Sequence, residues 1–124
     1  MALQLGLFVN PAADSYRDTL AMVAAAEQGG LDLIGIQDHP YQRRFLDTFQ
    51  LIGDLLARTE RLRFFPDVAN LPLRHPAMLA KQAASLDVMS GGRFELGLGA
   101  GAFWDAIAAM GGHRHLARRV PARE

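Results

Sequence analysis

The chain has 124 residues, half of them hydrophobic, with thirteen Lys plus Arg against thirteen Asp plus Glu. That length holds one domain with its own core, and the balanced charge offers no overall field to attract nucleic acid or an anionic membrane surface. Cysteine is absent, which excludes disulfides, thiolate metal sites and cysteine nucleophiles.

The first charged side chain is Asp14, so the start lacks the basic region of a signal peptide. No apolar run reaches the roughly 18 residues of a membrane span. The expectation is a cytoplasmic protein with no membrane partner.

Leu3, Leu5, Leu7 and Val9 predict a first strand, broken at Asn10-Pro11. Ser15-Tyr16-Arg17-Asp18 fits a capping box for a helix that carries Tyr16, Leu20, Val23 and Ala24 and stops at Gly29-Gly30. Leu31 to Ile36 is a second strand leading into Gln37-Asp38-His39-Pro40. Asp47 or Thr48 caps a second helix with Phe49, Ile52, Leu55 and Leu56 on one face.

Leu62 to Val68 predicts a third strand, in which Pro66 lacks the N–H for one ladder bond, so a bulge or local departure is expected there. Pro76 opens a third helix through Leu79, Ala83 and Leu86, ended by Ser90-Gly91-Gly92. Arg93 to Gly99 is a fourth strand, and a fourth helix begins at Asp105. From His113 to Glu124 four Arg meet one Glu and few apolar residues, so this basic tail is expected to pack poorly beside a domain of residues 1–112. Strands alternating with helices at this spacing predict an α/β fold with one parallel sheet in the order 1-2-3-4.

The residues capable of chemistry collect at one end of these strands. Asn10 follows the first, Asp38 and His39 the second, Asp67 and Asn70 the third, and Gly99 to Gly101 the fourth. Ligands bind at the C-terminal ends of parallel strands in barrels and open sheets alike. His39 suits proton exchange near neutral pH, with Asp38 orienting it or accepting a hydrogen bond; both equally suit a tight turn before Pro40. Gly97-Leu98-Gly99-Ala100-Gly101 suits either a phosphate cradle or a tight strand-to-helix bend. His75, His113 and His115 lack the spaced partners a metal site needs, so no metal is expected.

Three segments resemble the luciferase-like monooxygenase superfamily: Leu71-Pro72-Leu73-Arg74-His75-Pro76, Leu79-Ala80-Lys81-Gln82-Ala83-Ala84-Ser85-Leu86-Asp87, and Ser90-Gly91-Gly92-Arg93-Phe94-Glu95-Leu96-Gly97-Leu98-Gly99-Ala100-Gly101. Gln37-Asp38-His39-Pro40 is similar to the family's second-strand ending, its Asp-His most like the deazaflavin-using branch. The resemblance spans roughly residues 3–112 and implies the first four βα units of a (β/α)8 barrel, a half-barrel. It further implies a flavin-dependent oxidoreductase or monooxygenase that acts by hydride transfer on a small-molecule substrate. The cofactor would be FMN or the deazaflavin coenzyme F-420, bound at the C-terminal face.

The resemblance also implies a non-prolyl cis peptide at Asp67-Val68 against which the flavin ring packs. Asn70 would approach the ring, His39 would stand beside flavin and substrate with Asp38, and Gly99 and Gly101 would lie at the cofactor. Ala102 departs from the acidic residue that several deazaflavin dehydrogenases carry there, which counts against sugar-phosphate oxidation. A full barrel needs about 250 residues, so the half-barrel is expected to be inactive alone. The alternative reading is a non-catalytic half-barrel that forms a homodimer or pairs with a complementary half-barrel. An open α/β nucleotide-binding domain is a third reading, supported by the glycine loop alone.

Overall fold

The structure is a computed structural model and describes residues 3–113. The basic tail expected to pack poorly lies outside the described residues, apart from an exposed His113. Strands β1 (Gly6–Val9), β2 (Leu33–Ile36) and β3 (Arg63–Pro66) pair in parallel in the order β1-β2-β3. Gly6, Leu33 and Arg63 share one end of the register, and Val9, Ile36 and Pro66 the other. Helices α1 (Tyr16–Gly29) and α2 (Thr48–Ala57) connect them. Then follow β4 (Ala69–Asn70), α3 (Pro76–Ser90), β5 (Leu98–Gly99) and α4 (Trp104–Ala109), with β4 parallel to β5.

The fourth strand, expected as continuous from Arg93 to Gly99, is interrupted. Phe64 takes the Arg93 carbonyl (2.9 Å) and gives its own to the Glu95 amide (2.9 Å); pairing resumes only where the Ala69 amide reaches the Gly97 carbonyl (2.8 Å). From Phe64 to Ala69 is five residues, whereas from Phe94 to Leu98, their partners, is four. The third strand thus holds one extra residue, the definition of a bulge. Pro66 sets its position. Since the Asp67 amide bonds Ile36 of β2 (2.7 Å) and backbone groups alternate sides, the Pro66 nitrogen faces the fourth strand, where no N–H can continue the ladder. The Asp67-Val68 peptide inside the bulge is cis.

The core lies between one face of the sheet and the helices. Val9, Ile34, Ile36 and Phe64 meet Val23 and Ala26 of α1, Phe49, Ile52, Leu55 and Leu56 of α2, and Leu79 and Leu86 of α3. Ile34, Ile36, Ile52, Leu55 and Phe64 are fully buried, where truncation to Ala costs about 2–5 kcal/mol. Helix α2 is capped as expected, Asp47 accepting the Gln50 amide at 3.0 Å. The capping box at Ser15 does not form. A 3-10 turn over Ala13–Ser15 precedes α1 and places Ser15 outside the extended backbone a capping side chain needs, so its hydroxyl turns to Asp14 instead.

The opposite ends of the strands are tied by two devices. Glu27 at the end of α1 accepts the amides of Glu60, Arg61 and Leu62 at 3.2, 2.8 and 3.0 Å. Arg93 reaches the carbonyls of Leu56 (2.8 Å), Leu62 (3.1 Å) and Ser90 (3.0 Å) and the Thr59 hydroxyl (3.0 Å). It thereby satisfies carbonyls at the ends of two helices, Leu56 in α2 and Ser90 in α3.

Candidate functional site

Loops after β1 and β2 are zipped together before either reaches the site. The Ala13 amide bonds the Arg44 carbonyl (2.8 Å), the Leu46 amide bonds the Pro11 carbonyl (2.7 Å), and Arg44 pairs with Asp14. The Thr48 hydroxyl then donates to the Gln37 carbonyl at 2.6 Å, fixing the chain that carries Asp38 and His39.

Asp38 is almost fully enclosed, its side chain 1% exposed, and its carboxylate is completely engaged. Oδ2 accepts the Asn70 amide and Arg74 Nε, both at 2.8 Å, and Oδ1 accepts Arg74 Nη2 at 2.7 Å. Arg74 also reaches Asp47 (3.0 Å) and lies 4.3 Å over the Phe49 ring. Burial pushes the Arg74 guanidinium down, but its hydrogen bonds to Asp38 and the charges of Asp38 and Asp47 outweigh burial and raise it. Of the two readings open from sequence, orienting His39 or accepting a hydrogen bond, the geometry gives Asp38 the second.

His39 instead stacks on Tyr41, with ring centroids 5.3 Å apart, and meets Phe103 edge-on at 5.6 Å. Phe103 is 64% exposed and adopts a left-handed backbone (φ 56°) at the start of α4. Burial, then the Asp38 charge, raises the Tyr41 phenol above its ordinary value. These rings form an aromatic wall between the second and fourth loops.

Asn70 is 5% exposed, yet among the described residues its Oδ1 has no hydrogen-bond partner. A buried acceptor left unpaired costs roughly 1–3 kcal/mol, so this atom calls for a partner, a water or a bound group. Beside it, on the bulge, Val68 is 44% exposed, and Asp67 is exposed as well.

Gly97 and Gly99 face this bulge. A Cβ at Gly99 would stand 2.3 Å from Val68 Cγ2, and one at Gly97 2.5 Å from the Pro66 carbonyl. Gly101 has φ +98°, and a Cβ there would meet Pro72 at 2.7 Å and Trp104 at 2.9 Å. Gly97 and Gly99 clear room for the third strand, and Gly101 for Pro72 and Trp104 at the turn into α4. Asp38, Val68, Asn70, Gly99 and Gly101 are thus joined through direct neighbours, while His39 belongs to the aromatic wall.

Sequence reasoning gave no role to Arg74 or Tyr41. Arg74 was detectable in principle, because a buried carboxylate requires a cation. Among the described residues, no group of three or more His, Asp or Glu side chains is arranged to hold a metal ion, and no helix is long and apolar enough to cross a membrane.

Comparison with known proteins identifies the family. The sequence profile of the luciferase-like monooxygenase family matches residues 3–124. The chain is 32% identical over 105 residues to an F-420-dependent glucose-6-phosphate dehydrogenase of Beutenbergia cavernae, covering 80% of this chain and 31% of that protein. It is 29% identical over 90 residues to the oxygenase component of a flavin-dependent trigonelline monooxygenase of Acinetobacter baylyi, covering 71% and 25%.

Among solved structures, the oxygenating constituent of 3,6-diketocamphane monooxygenase from Pseudomonas putida, in complex with FMN, superposes with a TM-score of 0.79 at 29% identity. That match covers 90% of this chain and 33% of the other. The chain therefore spans about a third or less of these relatives' length. With a parallel α/β sheet and a profile match over almost its whole length, the chain belongs to the luciferase-like monooxygenase family.

Proposed function

We propose that residues 1–112 are the first four βα units of a barrel and supply one wall of an FMN or F-420 site in a flavin-dependent oxidoreductase or monooxygenase. The observation that carries this reading is the buried, unpartnered Asn70 Oδ1 beside the exposed Val68. A flavin or deazaflavin ring offers both things this corner lacks: a flat apolar face for Val68 and an N–H donor for Asn70. The residues present therefore fit the group.

When bound, the cofactor supplies hydride exchange with the substrate. The chain's own residues do the rest. Val68 and Asp67 on the bulge shape the floor, and Gly99 and Gly101 leave the backbone room to keep it there. Asp38 holds the Asn70 amide and so aims its side chain. His39, half-buried against Tyr41 and Phe103, is the group that holds or moves a proton at its imidazole. Phosphate anchors in such barrels lie in the loops after strands seven and eight, so the four units alone bind weakly and do not turn over.

The direct test is amide chemical-shift mapping of the isotope-labelled chain titrated with FMN, which reads even weak binding residue by residue. Shifts confined to residues 38–41, 67–70 and 97–103 are expected, and Asn70→Ala raises the FMN concentration they require by about tenfold. Shifts confined to other surfaces, or none at millimolar FMN, overturn the reading.

A further inference from the structure

We infer that the rings of His39, Tyr41 and Phe103 form the substrate side of the proposed site and select a planar aromatic substrate that carries no anionic group. The inference rests on the cofactor reading above and names the substrate class for that site.

The rings come from two loops and pack on one another. His39 lies on Tyr41 at 5.3 Å with 24° between planes, and meets Phe103 at 5.6 Å and 67°. Tyr41 meets Phe103 at 6.0 Å and 54°. All three separations fall in the range where aromatic rings attract, about 4.5–7 Å between centroids. Phe103 takes its place with a left-handed backbone, φ 56°. A bulky side chain rarely adopts that conformation, which persists where the surroundings over-determine it and gathers at ligand-contacting positions.

The wall adjoins the corner assigned to the cofactor. His39 directly follows Asp38, whose carboxylate holds the Asn70 amide at 2.8 Å. A ring laid on the wall therefore lies against the imidazole that moves the proton, one residue from the group that aims Asn70.

Charge sets the other half of the selection. Arg74, the cation at this corner, is 10% exposed and already faces Asp38 and Asp47. One guanidinium against two carboxylates leaves a net −1. Burial, and after it the Asp38 charge, raises the Tyr41 phenol, so that charge reaches the wall. Exposed Asp67 adds a further negative charge on the bulge. A phosphate or carboxylate on the substrate would meet this field unpaired, whereas a neutral ring meets flat surfaces that match it. Ala102, next to Phe103, offers no side-chain hydrogen bond to a sugar hydroxyl.

Three probes on one carbon skeleton test this: naphthol, naphthyl phosphate, which adds the anion, and decahydronaphthol, which removes the planarity. Each is titrated into the isotope-labelled chain, with and without FMN, and followed by chemical shift. Naphthol should move His39, Tyr41 and Phe103 at low millimolar concentration and leave the FMN shifts at residues 67–70 in place. The other two probes should bind at least about fivefold more weakly.

Tyr41→Leu and Phe103→Leu should each weaken naphthol about three- to tenfold, whereas Tyr41→Phe, which keeps the ring, should not. Should a Leu variant unfold, the three probes on the unaltered chain still decide. Equal affinity for all three, tighter binding of naphthyl phosphate, or naphthol that expels FMN from residues 67–70 overturns the inference. FMN that leaves residues 67–70 unmoved overturns the cofactor reading, and the substrate role with it, and is told apart by the residues that respond.

Discussion

Asp38 and Arg74 meet through two hydrogen bonds, Oδ2 to Nε at 2.8 Å and Oδ1 to Nη2 at 2.7 Å, with side chains only 1% and 10% exposed. This pair joins the loop after β2 to the loop after the bulge, and through the Asn70 amide it fixes the corner where the ligand wall stands.

Asp38→Ala should therefore cost stability before it costs anything else. It strands Arg74 with only Asp47 and the Phe49 ring and frees the Asn70 amide, a loss of about 3–5 kcal/mol. Asp38→Ala/Arg74→Leu should lose less than the two single changes summed, because the second removes the stranded charge. Urea denaturation of the four proteins measures the cycle. Strict additivity means the pair is not coupled.

Glu27 gives the fold an acid-sensitive tie. Partial burial pushes its carboxyl up, but the amides of Leu62, Arg61 and Glu60 and the Arg61 charge outweigh that and hold it below the ordinary value of 4.5. In the unfolded chain it returns to the ordinary value. The contribution is therefore complete above that range and fades as pH falls through the lower folded value. Glu27→Gln should cost about 1 kcal/mol near pH 7, a modest figure because the site is partly solvated, and the gap should narrow progressively as pH falls below 4.5. A gap that is constant across that range contradicts the assignment.

The strand-and-helix order could be read from Leu5-Leu7-Val9, Leu31 to Ile36 and the caps Asp47, Pro76 and Gly91, because periodicity and capping are local. The bulge was legible at Pro66, since a missing N–H is a property of one residue. The interruption of the fourth strand was not, because it depends on one extra residue in its neighbour. Nor did the sequence assign the Asp38–Arg74 pair or the His39–Tyr41–Phe103 wall, whose members lie in different loops. Ser15 misled because its box has the right spacing but the wrong backbone ahead of it.

Gly99→Ala tests how tightly the fourth strand accommodates the bulge. The new methyl falls 2.3 Å from Val68 Cγ2 and 3.3 Å from its Cβ, so Val68 must turn or the strands must part. Overpacking of this kind costs about 1–3 kcal/mol. Val68→Ala in the same chain removes the obstructing methyls and should recover at least half of the loss. Thermal melts of the single and double variants decide; no recovery would mean the clash is with backbone.

The last expectation concerns affinity, where stability and binding should come apart at Asn70. Its Oδ1 has no partner among the described residues, so Asn70→Ala removes a buried group that gains nothing and should change folding stability by no more than about 1 kcal/mol. Binding should respond more strongly. Even the unaltered chain is expected to hold FMN weakly, because anchors after strands seven and eight each supply charge-assisted bonds worth roughly 1.5–3 kcal/mol to a phosphate. Two such losses amount to about a hundredfold or more in affinity, at 1.4 kcal/mol per tenfold. Against that low starting point, Asn70→Ala should weaken binding by a further factor of about ten, whereas Glu27→Gln, on the far end of the strands, should not change it. Fluorescence titration of all three proteins with FMN and with F-420, alongside their melts, gives both quantities. Micromolar binding with turnover by the 124-residue chain would show that four units suffice. An Asn70→Ala protein that binds as well as its parent would remove Oδ1 from the site.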